Sequence, residues 1–234
     1  MSSTAAERRR REKEARHEAI LDAARQVLEG RGYRQLTMDH VASAAALSKG
    51  TLYLYFASKE ELCAAIAERN IASVLPRLDA ALATGGTGLA QVGSLMLAWS
   101  EHFAAHPAHF RFALDWMLAS EAKSDEGPCF AAYRGRVNES LGRLIRALEA
   151  GKVDGSVRRD VESFPQALQL WLSNLGLFMA RLQAPAMSRR LEHPIDMAAL
   201  FPMHLTSSLR ALASDPSAVD ALVRELAAPP AAAE

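Results

Sequence analysis

Apolar residues recur along much of the chain three and four positions apart, which is the spacing of one buried face of an α-helix. The pattern predicts helices over about residues 16–29, 38–45, 49–56, 58–75, 89–106, 107–118, 130–149, 162–181, 195–213 and 219–226. Glycine, proline and short polar runs separate these segments, and such residues interrupt helices. We therefore predict an all-α chain.

Three of the predicted helix starts are crowded into residues 37–62, TMDHVASAAALSKGTLYLYFASKEEL. Thr37, Ser48 and Ser58 each precede a helical pattern and have the hydroxyl side chain that an N-cap position favours. Between the first two helices, Ala46 and Leu47 leave room only for a tight turn and one apolar anchor. This spacing predicts a helix-turn-helix.

The second helix of this pair has a composition that core packing does not explain. Lys49, Gly50, Thr51 and Tyr53 are cationic, small or hydroxyl-bearing, and Gly inside a helix costs about 1 kcal/mol relative to Ala. A helix whose N-terminal end enters the DNA major groove needs such residues, because base edges are read there. We therefore interpret it as a recognition helix.

Lys59 lies in the first turn of the third helix, where its charge opposes the helix dipole. A bound phosphate would remove this conflict and use the free backbone N–H groups at the helix start. The sequence therefore predicts an anion-binding surface beside the recognition helix.

The run T-x-x-x-V-A-x-x-A-x-x-S-K-G-T-L-Y-x-Y-F-x-S-K-E-x-L at residues 37–62 resembles the DNA-binding domain of the TetR family of bacterial transcriptional regulators. Residues 20–33, ILDAARQVLEGRGY, resemble the first helix of that family. The resemblance implies backbone contacts from Thr37, Tyr53, Tyr55 and Lys59, and base-edge positions for Ser48, Lys49, Gly50 and Thr51. It also implies a double-stranded DNA operator as partner.

One position departs from the family pattern, because Ala46 stands where the family usually has glycine in the turn. If the turn requires a left-handed backbone there, alanine costs about 1–2 kcal/mol. We expect either a slightly different turn or a slightly less stable domain.

Composition agrees with a cytoplasmic DNA-binding protein. The 234-residue chain has no formal net charge, but residues 1–60 contain about eleven Lys and Arg against about eight Asp and Glu, an excess near +3. Cys63 and Cys129 lack metal-type spacing, which fits a reducing compartment. No apolar run of membrane length and no signal peptide is visible, and no membrane association or cofactor is expected.

The predicted organisation places a small DNA-binding domain before a larger helical domain. The expected segments are a disordered basic arm over 1–16, the DNA-binding domain over 17–62, a connecting helix over 63–82, an effector-binding and dimerisation domain over 83–228, and a disordered tail over 229–234. The arm has two interpretations: a solvated tail, or arginines that reach phosphate or a minor groove.

Aromatic residues concentrate in the middle of the larger domain and allow two interpretations. They can simply form core, or they can line a largely apolar pocket for a small apolar or aromatic effector. The candidate pocket residues are Trp99, His102, Phe103, Phe112, Trp116, Trp171, Asn174 and Phe178. The family resemblance implies an inducer pocket, and it implies a homodimer formed by the last two major helices.

These features favour a regulator, most often a repressor in this family, that binds a palindromic operator and is released by a small effector. The alternative keeps DNA binding but makes the C-terminal helices a protein-interaction module without an inducer. Pro107 interrupts the histidines around it, so we expect no metal site. The chain also lacks a Gly-rich phosphate loop after a strand and a G-x-S-x-G motif, so we expect no catalytic residues and no enzyme activity.

Overall fold

We analysed a computed structural model of the chain, which describes residues 5–119 and 127–228. The described residues form eleven α-helices and no strand, which confirms the all-α prediction. They are α1 (Ala5–Arg31), α2 (Met38–Ala44), α3 (Lys49–Tyr53), α4 (Lys59–Ala72), α5 (Leu75–Ala83), α6 (Gly88–Ala105), α7 (Pro107–Ala119), α8 (Pro128–Asp154), α9 (Ser163–Leu191), α10 (Met197–Leu212) and α11 (Val219–Ala227). The predicted tail over 229–234 lies outside the described residues, as does most of the loop expected near residue 121.

Several helices differ in length from the prediction. Residues 5–16, expected as a disordered arm, continue α1 toward its N-terminus as regular helix. The expected connecting helix over 63–82 is two helices, because α4 ends at Ala72 and α5 begins at Leu75, with Pro76 in its first turn. Proline lacks the N–H that a continuous helix needs at that point, but it fits the first turn of a new helix.

The described residues divide into two compact units whose boundaries differ from the predicted ones. The first unit comprises Met1–Ala72 and Ala108–Arg136, and the second comprises Ser73–Pro107 and Val137–Glu234. Thus α7 and the start of α8 belong with α1–α4 rather than with the larger unit. The reason is that their aromatic face is part of the first unit's core, together with α1, α2 and α4.

The second unit is built around α6, whose N-terminus contacts the backbone of α8. A Cβ atom added to Gly88 would lie 2.0 Å from the backbone nitrogen of Gly151, so only glycine fits there. The Asp154 carboxylate caps α6 by accepting the Gly88 N–H at 2.7 Å. Burial alone would raise the pKa of Asp154, but hydrogen bonds from Ser156 and Gly88 outweigh it and lower the pKa. Helix α8 continues through Gly151 to Asp154, beyond its predicted end, and α6 approaches it closely at Gly151.

Candidate nucleic-acid interface

The turn between α2 and α3 is a Schellman motif with alanine at its left-handed position. The Leu47 N–H donates to the Ala42 carbonyl at 2.9 Å, and the Ala46 N–H donates to the Ser43 carbonyl at 3.2 Å. Ala46 has a φ of 53°, which is in the region that glycine favours. The turn therefore keeps the ordinary geometry, and the expected strain at Ala46 is present.

Helix α3 is short and exposes the face opposite its one buried side chain. The Ser48 hydroxyl caps it by accepting the Thr51 N–H at 3.1 Å, and it also lies 2.8 Å from the Thr51 hydroxyl. Leu52 is fully buried and anchors the helix to the unit's core. Helical spacing places Gly50 and Leu54 opposite Leu52, and space around Gly50 is open. The outward face is therefore small at one end and apolar at the other.

Lys49 is held by an acidic residue of α2. Its ammonium lies 2.8 Å from the Asp39 carboxylate, and both side chains are exposed. The hydrogen bond that Lys49 donates to the Asp39 carboxylate raises the pKa of Lys49 above its ordinary value. If Lys49 contacts a base, its ammonium must either leave Asp39 for an acceptor on the DNA or contact Asp39 and the base at the same time.

The predicted phosphate contacts lie around α3. The Thr37 hydroxyl caps α2 and accepts the His40 N–H at 3.2 Å. Lys59 donates to the carbonyl of Tyr33 at 3.0 Å and lies 4.3 Å from the centroid of its ring, so this lysine also has a structural role. Tyr53 is 43% exposed, whereas Tyr55 is half-buried.

The third cap differs slightly from a regular capping box. The Glu61 N–H donates to the Ser58 hydroxyl at 3.0 Å, as expected for an N-cap serine. The Glu61 carboxylate accepts from the N–H of Ala57 at 3.1 Å, one residue before the cap. Ser48 and Ser58 therefore both use their hydroxyls as N-caps, Ser48 for α3 and Ser58 for α4.

Two residues of this surface were not among the predicted contacts. Leu54 is 82% exposed, which is unusual for a leucine beside a packed helix. Asp39 is exposed and holds the lysine of α3. The signal for Leu54 was available in the sequence, because it lies four residues after Gly50 on the face opposite Leu52. The Asp39 contact needed the angle between α2 and α3, which the sequence pattern does not give.

The predicted pocket residues are divided between the two units. Phe112 and Trp116 lie in the core of the first unit, with ring centroids 6.2 Å apart, and Trp116 packs 5.9 Å from Phe130. This corrects their placement in the candidate pocket. The sequence placed both aromatic residues on one predicted helix, but it could not identify the core against which they pack.

The other aromatic candidates pack in the second unit. The ring centroids of Trp99 and Phe103 are 4.9 Å apart, and those of Phe103 and Phe178 are 4.7 Å apart. His102 is buried, and its Nε2 lies 3.4 Å from the Ser73 hydroxyl. These side chains link α6 to α9.

A small cavity lies beside this cluster, with a volume of about 20 Å³. It is lined by Ser100, Phe103, Asn174, Leu177, Phe178, Arg181, Met197 and Phe201. Asn174 is buried, and its Oδ1 has no hydrogen-bond partner among the described residues. A buried acceptor without a partner is costly, so a donor from a bound molecule or water would stabilise it. Trp171 is half-buried and does not line this cavity.

Metal binding and membrane insertion find no support in the residues that the structure describes. Across 5–119 and 127–228, no three His, Cys, Asp or Glu side chains are grouped so that they could hold a metal ion. In the same part of the chain, no helix has both the length and the apolar character that crossing a bilayer requires.

Comparison with known proteins agrees with this geometry. Residues 20–66 match the family model of the bacterial regulatory proteins of the tetR family. The fatty acid metabolism regulator protein of Bacillus subtilis is 24% identical over 145 residues, which cover 62% of this chain and 70% of that protein. The transcriptional repressor KstR of Mycolicibacterium smegmatis is 26% identical over 180 residues, covering 76% and 83% of the two chains.

Solved structures show the same fold at lower identity. The FadR regulator of Bacillus subtilis in complex with stearoyl-CoA superposes with a TM-score of 0.64 and 17% identity. The match covers 85% of this chain and 98% of the FadR chain. These relatives are regulators of transcription rather than enzymes.

Proposed function

Because the chain belongs to the TetR family of bacterial transcriptional regulators, we propose that it binds a palindromic operator as a homodimer and releases it when a small apolar effector binds. The observation that carries the proposal is the geometry of α3. This helix follows a Schellman turn, is anchored by Leu52, and exposes its opposite face around Gly50. Such a helix can enter the major groove and let its backbone approach the bases.

The side chains around α3 supply two kinds of DNA contact. Those at its N-terminal end reach base edges and carry sequence discrimination, at about 1–3 kcal/mol for each good base contact. The caps, tyrosines and Lys59 contact phosphates and set register and salt-dependent affinity. The base-reading set is Ser48, Lys49, Gly50 and Thr51, and the phosphate set is Thr37, Tyr53, Tyr55 and Lys59.

Dimerisation is supported by apolar surface on the last two long helices. Phe164, Leu172 and Leu191 on α9 and Met203 on α10 are between 49% and 63% exposed. A second copy of the chain that covered these side chains would remove them from water. Two copies also place two recognition helices on one duplex, about 34 Å apart, which is what a two-fold operator requires.

We infer that the effector is lipid-like, with a long apolar body and a polar or anionic head. The aromatic side chains of Phe103 and Phe178 suit the apolar body. Asn174 offers a buried acceptor without a partner, and the exposed Arg181 offers a cation at the same cavity. Among the relatives, one regulates fatty acid metabolism and another was solved with stearoyl-CoA.

A second candidate function keeps DNA binding but gives the C-terminal helices to a protein partner. The observation that favours it is the cavity volume of about 20 Å³, which suffices for a water molecule but not for a lipid. For a lipid-like effector to bind, the side chains of α6 and α9 that line the cavity would have to move apart. Without such opening, the exposed apolar side chains of α9 would serve a protein partner.

The test is selection of bound sequences from a random duplex pool by the purified protein, followed by competition with ligands. The probes are stearoyl-CoA, free stearate, a ketosteroid and coenzyme A alone. The proposal predicts a two-fold symmetric consensus sequence. One of the apolar probes should release the protein from DNA that carries this sequence, while coenzyme A alone should not. A consensus that no probe disturbs would favour the protein-interaction module, and no consensus would refute DNA regulation.

A further inference from the structure

We propose that Arg9, Lys13 and Arg16 form a second DNA contact, which binds the phosphate backbone flanking each operator half-site. We call these three side chains the basic strip. The inference rests on the proposed function, since it requires that α3 sits in a DNA groove. It concerns a part of α1 that precedes residue 20, where the match to the family model begins.

The basic strip continues the core-facing side of α1. Residues 9, 13 and 16 are separated from residue 20 by eleven, seven and four positions, so all lie on one helical face. On this face Ile20 and Ala24 are fully buried. Beyond the edge of the packed unit, the same face is exposed and basic. Because α1 is continuous from Ala5 to Arg31, its rigid backbone fixes where the strip points.

The strip begins beside the turn that precedes the recognition helix. Glu12, Arg16 and Ile20 line a surface groove. Ala45 and Leu47, which flank the left-handed alanine, complete it with two further alanines of α1. The twelve helical residues from 5 to 16 extend about 18 Å at 1.5 Å per residue. That length equals roughly five base pairs of duplex at 3.4 Å per step. A helix of this length could follow the backbone next to a half-site.

The acidic side chains of this segment either lie away from the strip or are paired, since Glu12, which borders the strip beside Arg16, is held by Arg8. Glu7 and Glu14 lie on the side of α1 opposite the strip, as their helical positions require. Arg8 pairs with Glu12 at 3.6 Å and Arg10 pairs with Glu14 at 3.7 Å, so these neighbouring arginines are already compensated.

Within the described residues, no ion pair or hydrogen bond engages the three strip side chains, and all are exposed. If this face were only exposed to water, acidic and basic side chains would be equally suitable there. Three uncompensated cations in a row are suited to phosphate oxygens.

The experiment compares two triple variants of the full chain on the selected operator. The strip variant carries Arg9→Ala, Lys13→Ala and Arg16→Ala. Each phosphate contact contributes about 0.9 to the slope of log affinity against log salt. Losing three contacts therefore makes that slope shallower by about 2.7 per protomer, with the selected consensus unchanged. The wild type also binds a duplex with long flanks more tightly than one trimmed to the half-sites, and the strip variant loses this preference.

The control variant carries Arg8→Ala, Arg10→Ala and Arg11→Ala, which removes the same charge from other faces of the same helix. Circular dichroism confirms that both variants keep their helix content, as alanine favours helix. The inference predicts a wild-type slope for the control. Equal slopes for the strip variant and wild type would overturn it, and so would an equal loss in both variants. Failure of the wild type to select any sequence would instead refute the proposed function.

Discussion

Replacing Ala46 by glycine should stabilise the protein, although the substitution removes a methyl group and places glycine next to a helix. Ala46 occupies the left-handed position of the turn between α2 and α3, with a φ of 53°. The Cβ of an L-residue is crowded by the following carbonyl oxygen in this conformation. The hydrogen bonds of the turn involve only backbone atoms, so Ala46→Gly should keep all of them.

The expected gain follows from two opposing effects. Removing the left-handed strain of an alanine recovers about 1–2 kcal/mol. The greater freedom of glycine in the unfolded chain costs about 0.4–1 kcal/mol. The net stabilisation is therefore about 0–1.6 kcal/mol, with a central value of about 0.8 kcal/mol. For a protein of this size, 1 kcal/mol corresponds to a change in Tm of about 2–4 °C, so the central value corresponds to an increase of about 2–3 °C.

The assay is thermal and urea unfolding at one fixed protein concentration, because self-association makes Tm concentration-dependent. Ala44→Gly is the matched control, since Ala44 is exposed and right-handed in the last turn of α2. There glycine should lower stability by about 0.5 kcal/mol. Ala46→Val should lower the stability below that of the wild type, because a β-branched residue tolerates positive φ poorly. The reasoning is refuted if Ala46→Gly destabilises the protein as much as Ala44→Gly does.

Three further predictions follow from other contacts. Leu54→Ala should weaken operator binding about fourfold, which corresponds to about 0.8 kcal/mol of lost apolar contact with a thymine methyl group. Replacing that thymine by deoxyuridine, which lacks the methyl group, should weaken binding by the wild type but not by the variant. If the replacement weakens binding by both proteins equally, Leu54 does not contact the methyl group. Lys59→Ala should weaken all DNA sites similarly and lower Tm, whereas Thr51→Ala should change the ranking among sites; a uniform effect of both would contradict the assigned roles. Gly88→Ala should cost at least about 2–3 kcal/mol of unfolding free energy because its methyl group has no room, while Gly30→Ala, in open space, should cost nothing.

Local signals predicted the helix starts around α3. Hydroxyl residues before helical patterns identified the caps Thr37 and Ser48, because a cap is decided by residues within one turn of it. The left-handed backbone at Ala46 follows only from the TetR-family pattern, which usually has glycine at this position, and the structure shows it with a φ of 53°. The outward face of α3 could also be derived from the position of Leu52.

The features that could not be predicted from the sequence depend on which helices, distant along the chain, pack against each other. The sequence placed Phe112 and Trp116 on one predicted helix, but the core that buries them includes residues far away in the chain. Glycine at position 151 indicated a helix end, yet in the structure it permits close contact with Gly88 inside α8. The charged run before residue 16 indicated disorder, although its alternating ion pairs also stabilise a helix.

The measurement that tests the central claim most directly is methylation interference at guanine N7 on a selected duplex. This atom lies in the major groove, so methylating it blocks a side chain or helix that enters there. The account predicts two clusters of interference related by two-fold symmetry, with centres about 10 base pairs apart. It also predicts that substituting Lys49 or Thr51 changes the pattern within both clusters. No interference at any guanine N7 of the selected duplex, or a single cluster that α3 substitutions leave unchanged, would contradict the assignment of α3 as the recognition helix.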